Sequence, residues 1–262
     1  MQEAVDKMPD RRLVVNVVLF CLRDDSLQVL LASQAPAWEL PGEPVEANES
    51  LEDAAARLLA KLINRRETYL EQLYTYGSPQ RLAVSVVYFA LIPAEAHLLP
   101  GRTVRWFPVA HLPGLAGDHP EILTYALRRL RYKLEYSAVG FQLLPAEFTL
   151  SELQHTYEIV LDEKLDKRNF RRRMLHSSII ETTPRLRTGE GRPARLSRHR
   201  PSRSIPVGGE GEASLAQHII PGGYTQRVRR GRWHRPGTLG IQNLAAQRQV
   251  NFVFTGYWQL IG

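Results

Sequence analysis

The chain has 262 residues, 44% of them hydrophobic, enough for one large or two ordinary cored domains, and a formal net charge of +7. Its one cysteine, Cys21, excludes an intrachain disulfide and any Cys-pair zinc site. No apolar run approaches the ~20 residues that span a membrane, and the charged Met1–Arg12 stretch lacks an apolar signal core, so a cytoplasmic protein without membrane attachment is expected.

The charge is uneven. Up to Ala110 there are 11 basic and 14 acidic residues; beyond it there are 23 and 13, so the net charge runs from −3 to +10. An excess confined to one part points to a polyanionic partner for that part.

Leu13–Leu22 and Leu27–Ala32 are β-rich runs split by Arg23-Asp24-Asp25-Ser26, a hairpin turn by composition. Cys21, inside the first run, reads as a small buried hydrophobe. Trp38–Pro41 leads into an amphipathic helix over Ser50–Ile63, whose apolar residues Leu51, Ala54, Ala55, Leu58, Leu59, Leu62 and Ile63 follow helical spacing. Ser50 with Asp53 resembles a capping box with Asp in place of Glu. Leu73–Tyr76, Leu82–Ile92 and Val104–Phe107 read as strands. Irregular mixing of strands and helices indicates an α/β or α+β fold.

Pro108–Pro120 holds three Pro and two Gly and is the linker candidate. Helices are expected over Glu121–Leu134, over Thr149–Leu161 with a Thr149/Glu152 capping box, and over Leu165–Leu175 with Asp166 as N-cap. Two extended runs around a Pro/Gly/Arg loop then form a basic hairpin. Beyond about Pro201 the chain is rich in Gly, Pro, Ser and Arg without sustained period, and stable order is not expected there. The expected organisation is a domain over 1–110, a linker over 111–120, a second domain over 121–200 and a basic tail over 201–262.

The stretch "ELPGEPVEANESLEDAAARLLAKL", Glu39–Leu62, resembles the signature box of the Nudix family, hydrolases of nucleoside diphosphates linked to another group. The family pattern is a Gly, five residues, a Glu, seven residues, then Arg-Glu, an aliphatic, any residue, and Glu-Glu. Here its Gly falls on Glu43, the spaced Glu on Glu49, the Arg on Arg57 and the aliphatic on Leu59. The three helical acids fall on Leu58, Lys61 and Leu62. Pyrophosphate hydrolysis needs a divalent cation, and hard cations need several oxygen ligands. A lysine at an acid position also repels the metal. The resemblance therefore implies a Nudix-like α/β sandwich, a mixed sheet between helices, with no catalytic and no metal-binding residues. The alternative is a divergent Nudix hydrolase using Glu46, Glu49 and other acids.

Phe148–Arg198 combines a capped helix, a turn, a basic helix and a basic hairpin, which is the pattern of an α+β winged helix-turn-helix. In the third helix Phe170, Met174 and Leu175 form the expected inward stripe. Lys167, Arg168, Arg171 and Arg172 are left outward, with Asn169 near the end that meets base edges. Arg reads guanine and Asn reads adenine in the major groove. Arg185, Arg187, Arg192 and Arg195 in the wing are candidates for phosphate or minor-groove contact, and Thr149 and Ser151 for phosphate hydrogen bonds.

"HPEILTYALRRLRYKLEYSAVGFQLLPAEFTLSELQ", "LDKRNFRRRML" and "GRPARL" resemble the linker helix and DNA-binding domain of the NrtR family, Nudix-related transcriptional regulators of NAD metabolism. The resemblance covers about residues 10–200. It implies a homodimer on double-stranded operator DNA, acting mostly as a repressor, without cofactor, and a Nudix-like domain sensing a nucleotide effector, typically ADP-ribose. Trp38, Glu46, Glu49, Arg57 and Arg81 are the ligand-pocket candidates. Two departures stand against the family pattern: "SPQRLA" replaces a longer loop between Gly77 and Val84, and Glu43-Pro44 replaces a small, flexible Gly region. The tail's "RVRRGRWHRP" mixes Arg with an aromatic, which leaves nucleic-acid contact open for it too.

Overall fold

The computed structural model describes residues 12–65, 68–77, 83–101, 103–177, 179–188 and 193–200. Arg81, Arg192 and the expected low-order tail 201–262 lie outside them.

β1 (Arg12–Arg23) and β2 (Ser26–Gln34) form an antiparallel hairpin. Asp24 and Asp25 both take positive φ, 48° and 52°, as a two-residue hairpin loop requires. Residues 13–22 are almost continuously apolar because this strand is covered on both faces. Val15, Val17, Leu19 and Cys21 face one hydrophobic cluster; Val18 and Phe20 face the other. β3 (Ala37–Glu39) pairs with β2, and β4 (Gly42–Pro44) pairs with β1. Both are three-residue strands not expected from the sequence: β3 overlaps the Trp38–Pro41 lead-in, and β4 follows it.

α1 (Leu51–Leu62) begins at Ser50, whose Oγ accepts the Asp53 N–H at 3.0 Å. The Asp53 carboxylate in turn accepts the Ser50 hydroxyl, at 2.7 Å, and not the Ser50 backbone N–H as a capping-box Glu does; Asp is one methylene shorter. α1 lays Ala54, Ala55, Leu58, Leu59 and Leu62 on the first face of the sheet.

β5 (Tyr69–Tyr76), β6 (Ala83–Ile92) and β7 (Val104–Pro108) complete the sheet. β5 starts four residues before the expected run, since it is half exposed and lacks a clear apolar alternation. The order is β3-β2-β1-β6-β5, with β4 also on β1 and β7 on β2. β1 and β6 run parallel and the other pairs antiparallel, so the sheet is mixed. α2 (His119–Tyr136) covers the second face with Ile122, Leu123, Ala126, Leu130 and Leu134. It starts at His119, inside the segment expected as linker, with Pro120 in the first turn, where a missing N–H costs nothing. The His119 ring nitrogen Nδ1 accepts the Leu40 N–H at 2.8 Å, fixing the helix start to the sheet.

A 3-10 segment, Ala138–Leu143, joins α2 to the last part of the fold. There β8 (Phe148–Thr149), α3 (Leu150–Leu161), α4 (Lys167–His176), β9 (Ile180–Arg187) and β10 (Ala194–His199) follow in order. The three strands form a small sheet, β8-β10-β9. The cluster on the α2 face continues without a break through Phe141, Phe148, Leu153, Tyr157, Val160, Phe170 and Met174. The helix-turn-helix thus shares its core with the linker helix and the large sheet. This is the Nudix-like sandwich followed by a winged helix expected from the sequence. Among the described residues no helix is long and apolar enough to cross a membrane.

Candidate nucleic-acid interface and nucleotide site

α3 opens with a complete capping box: the Thr149 side chain accepts the Glu152 N–H at 3.2 Å, and Glu152 accepts the Thr149 N–H at 2.8 Å. Thr149 is therefore buried, at 6% exposure, and its hydroxyl holds the helix start. This differs from the phosphate contact expected of it. α3 ends at Asp162, in the left-handed conformation at φ 58°. The turn into α4 is pinned by Glu158, which accepts the Leu165 N–H at 3.1 Å, the Gln154 amide at 2.9 Å and the Lys164 ammonium at 2.9 Å. Partial burial pushes the Glu158 carboxyl up, but these donors together hold it below its ordinary value.

α4 is capped by Asp166, which accepts the Asn169 N–H at 2.8 Å. Its inward face is Phe170 and Met174, with Phe170 edge-on to Tyr157 at 5.6 Å between ring centroids. Leu175 does not belong to that face: it is 55% exposed. Five residues beyond Phe170 turn the helix by about 500°, or 140° net, away from the stripe. Lys167, Arg168 and Arg172 are exposed, as expected. Asn169 and Arg171 are half-buried. Asn169 accepts Arg172 Nη2 at 3.0 Å, and Arg171 Nη2 donates to Ser151 Oγ at 2.8 Å. The candidates Ser151, Lys167, Arg168, Asn169, Arg171 and Arg172 thus lie along α4 and the start of α3.

In the wing, Arg195 is exposed. Arg185 pairs with Glu147 at 3.2 Å, and Arg187 pairs with Glu152 and also donates to the Glu147 carbonyl at 3.2 Å. Two arginines read as DNA contacts therefore tie the wing to the start of α3. Nothing in local spacing points to Glu147 and Glu152 as their partners, because the paired residues lie 35 or more positions apart. Beyond the shared core, polar contacts among the described residues tie α3 to the rest: His155 Nε2 lies 2.9 Å from Asp25 in the β1–β2 turn, and Arg131 Nε on α2 donates to the Val160 carbonyl at 2.8 Å.

The ligand-pocket candidates are only partly gathered. Arg57 on α1 binds Glu49 through Nε (2.7 Å) and Nη2 (2.9 Å), reaches Glu46 at 3.4 Å, donates to the Pro44 carbonyl at 3.1 Å and pairs with Glu43. The Arg57 side chain, foremost through its hydrogen bond, and the Glu46 N–H behind it, push the Glu49 carboxyl down to about 2. The same bond to Glu49 raises Arg57 above its ordinary value. Trp38 lies elsewhere, edge-on to Phe107 at 4.7 Å between centroids and packed on the α2 face of the sheet. Its side chain is partly buried there, packed against the edge of that cluster.

The metal of a Nudix hydrolase does not fit these residues. Leu58 and Leu62, at two of the acid positions, are 0% and 1% exposed in the core. The third, Lys61, sets its ammonium 2.9 and 3.1 Å from the two Glu43 oxygens. Among the described residues no three His, Cys, Asp or Glu side chains gather so as to hold a metal ion.

Comparison with known proteins follows the same division. Residues 12–128 match the NUDIX domain model, and residues 140–198 match that of the NrtR DNA-binding winged helix domain. The chain is 35% identical over 206 residues to the ADPR responsive transcriptional repressor NtrR of Acinetobacter baylyi, covering 72% of this chain and 82% of that one. It is also similar to the crystal structure of Shewanella oneidensis NrtR (TM-score 0.66, 34% identity, 73% of this chain and 95% of that chain). The structure of the same Shewanella protein complexed with a 27mer DNA gives a TM-score of 0.63 at 33% identity, over 72% and 94% of the two chains. A Nudix-type domain, a shared core leading into a capped basic helix and wing, and relatives matched over most of their length lead to one assignment: this chain belongs to the NrtR family of Nudix-related transcriptional regulators.

Proposed function

We propose that this chain is a transcriptional repressor of NAD-metabolism or related genes. It binds double-stranded operator DNA through its winged helix, as a homodimer, and its Nudix-like domain senses ADP-ribose or a similar nucleotide. The observation that carries the reading is the capped helix α4, which presents Lys167, Arg168 and Arg172 to solvent in the part matching the NrtR DNA-binding model. The Acinetobacter relative is named as an ADPR responsive repressor, and the Shewanella relative was crystallised with DNA. Two copies placing their α4 helices about one DNA turn apart would read a two-fold operator.

Leu58, Lys61 and Leu62 at the acid positions support a sensor without hydrolase activity and without a resident cofactor. Arg57 with Glu46 and Glu49 edges the candidate ligand site, and Arg81 completes the proposed set; Trp38 packs on the opposite, α2 face of the sheet. A nucleotide that releases DNA must bind one dimer geometry better than the other. The linkages from α3 to the β1–β2 turn, His155–Asp25, and to α2, Val160–Arg131, give such a difference a path to α4. The division into a sensor over 1–110 and a reader over 121–200 is proposed on functional grounds, with α2 as the shared element.

The test is fluorescence anisotropy with duplexes from upstream of its own operon and of NAD-synthesis genes, against random duplex, at fixed near-physiological salt because phosphate contacts make affinity salt-dependent. Selective binding weakened by ADP-ribose is the expected outcome. Equal, weak binding to every duplex refutes the regulator. Turnover of ADP-ribose or NADH with Mg²⁺ or Mn²⁺, abolished by Glu49→Gln, refutes the inactive sensor.

A further inference from the structure

Two departures from the Nudix box, 18 residues apart, explain each other. Where the family has a glycine, this chain has Glu43, on β4; where the family has a helical acid, it has Lys61, on α1. Glu43 is only 7% exposed, and a carboxylate so placed needs compensation. It receives the Lys61 ammonium on both oxygens, at 2.9 and 3.1 Å, and the Arg57 guanidinium beside it. Every nitrogen of the Arg57 guanidinium is engaged, on Glu43, Glu46, Glu49 and the Pro44 carbonyl. Of the three box positions that carry acids in hydrolases, Lys61 is the one whose side chain leaves the core; Leu58 and Leu62 are buried in it.

We infer that Lys61, with Arg57, is a built-in counter-cation of the box. Together they gather the acids of the 43–49 loop against α1, the task a divalent ion performs in an enzyme of this fold, and they close the site to such ions. The acid has moved from the helix to the strand and the positive charge from solvent to the helix. A divalent cation needs several oxygen ligands, and the oxygens of Glu43 and Glu49 are already committed to nitrogen donors. The loop is thereby held by the chain's own cations, which suits a sensor whose response must not follow cellular Mg²⁺ or Mn²⁺. These ion pairs stand whether or not ADP-ribose is the effector.

The experiment uses the full chain and the metal alone. Thermal unfolding in EDTA and in millimolar Mn²⁺, and calorimetric Mn²⁺ titration, are run on wild type, Lys61→Met, Lys61→Glu, Glu43→Gly and the Glu43→Gly/Lys61→Met double variant. Wild type should unfold at the same temperature in EDTA and Mn²⁺. Lys61→Met and Lys61→Glu should unfold earlier in EDTA. Lys61→Glu should recover in Mn²⁺ and bind it about tenfold tighter than wild type or more, the scale on which changes around a metal site act. With Glu43 gone, Lys61→Met should have no further effect, a result that holds even where a single variant folds poorly. The inference is overturned by stabilising Mn²⁺ binding to wild type, by no gain of Mn²⁺ affinity in Lys61→Glu, or by an undiminished Lys61→Met effect in the Glu43→Gly background.

Discussion

Arg171 on α4 donates to the hydroxyl of Ser151 on α3 at 2.8 Å, so one of the five outward basic or polar candidates of the recognition helix braces the helix pair. Arg168, a turn nearer the N-terminal end, is exposed. The two arginines should therefore separate by substitution. Arg168→Ala should cost roughly 1–3 kcal/mol on the cognate duplex, the value of a base contact, and leave the Tm unchanged. Arg171→Ala should lower stability by about 0.5–1.5 kcal/mol, the net value of a hydrogen bond. Anisotropy on cognate and scrambled duplex, with urea unfolding, resolves both; unchanged operator discrimination in Arg168→Ala would remove α4 as the reader.

Thr149 is a structural residue first. Thr149→Ala removes the N-cap of α3 and should destabilise by about 1 kcal/mol in urea unfolding. Thr149→Ser, which keeps the hydroxyl, should recover most of it. If Thr149→Ala instead weakened DNA binding with no change in stability, the hydroxyl would be a phosphate contact after all.

Acid should open the box. The Glu49 carboxyl is pushed from 4.5 down to about 2 by its bond to Arg57. A folded-state value below the unfolded one means the contribution is complete above about pH 4.5 and is lost as pH falls toward 2. The wild-type Tm should fall more steeply than that of Glu49→Gln over this window, and the two curves should converge at its acid end. Parallel curves would show that the pairing contributes nothing to stability.

Gly140, in the 3-10 segment between α2 and α3, has no room for a side chain. A Cβ there would lie 2.8 Å from Leu134 Cδ2 and 2.9 Å from Tyr157 Cε2, both on fully buried side chains. Gly140→Ala should cost about 1–3 kcal/mol by overpacking. The same change at exposed Gly114, where a Cβ meets nothing within 4 Å, is the control and should be near neutral in urea unfolding.

The basic tail should be dispensable for operator choice. The DNA-binding family match ends at residue 198. A chain truncated after Arg200 should keep its selectivity and lose at most a salt-sensitive, sequence-independent share of affinity. Loss of selective binding on truncation would favour a nucleic-acid role for the tail itself.

Local rules make much of this protein legible in its sequence. Apolar residues at helical spacing place α1 and the buried face of α2; the run 13–22, apolar except for Asn16, marks a strand covered on both sides; Ser50, Thr149 and Asp166 mark helix starts, because a cap is satisfied within three residues of itself. The Leu, Lys and Leu at 58, 61 and 62 and the arginines of α4 are equally plain, since each is a matter of residue type at fixed spacing. What the sequence does not disclose lies where the partner is distant. The β1–β6 parallel pairing joins segments some 70 residues apart, and β3 and β4 are too short to show a period. Whether a charged side chain faces DNA, a ligand or a protein acid depends on what converges on it in space. Glu43 stands in the sequence as a broken glycine position, and Arg187 as a phosphate contact. Only the folded chain sets Lys61 and Arg57 on the first and Glu152 on the second, because a buried or crowded charge must find its opposite and the tertiary fold alone determines which one is within reach.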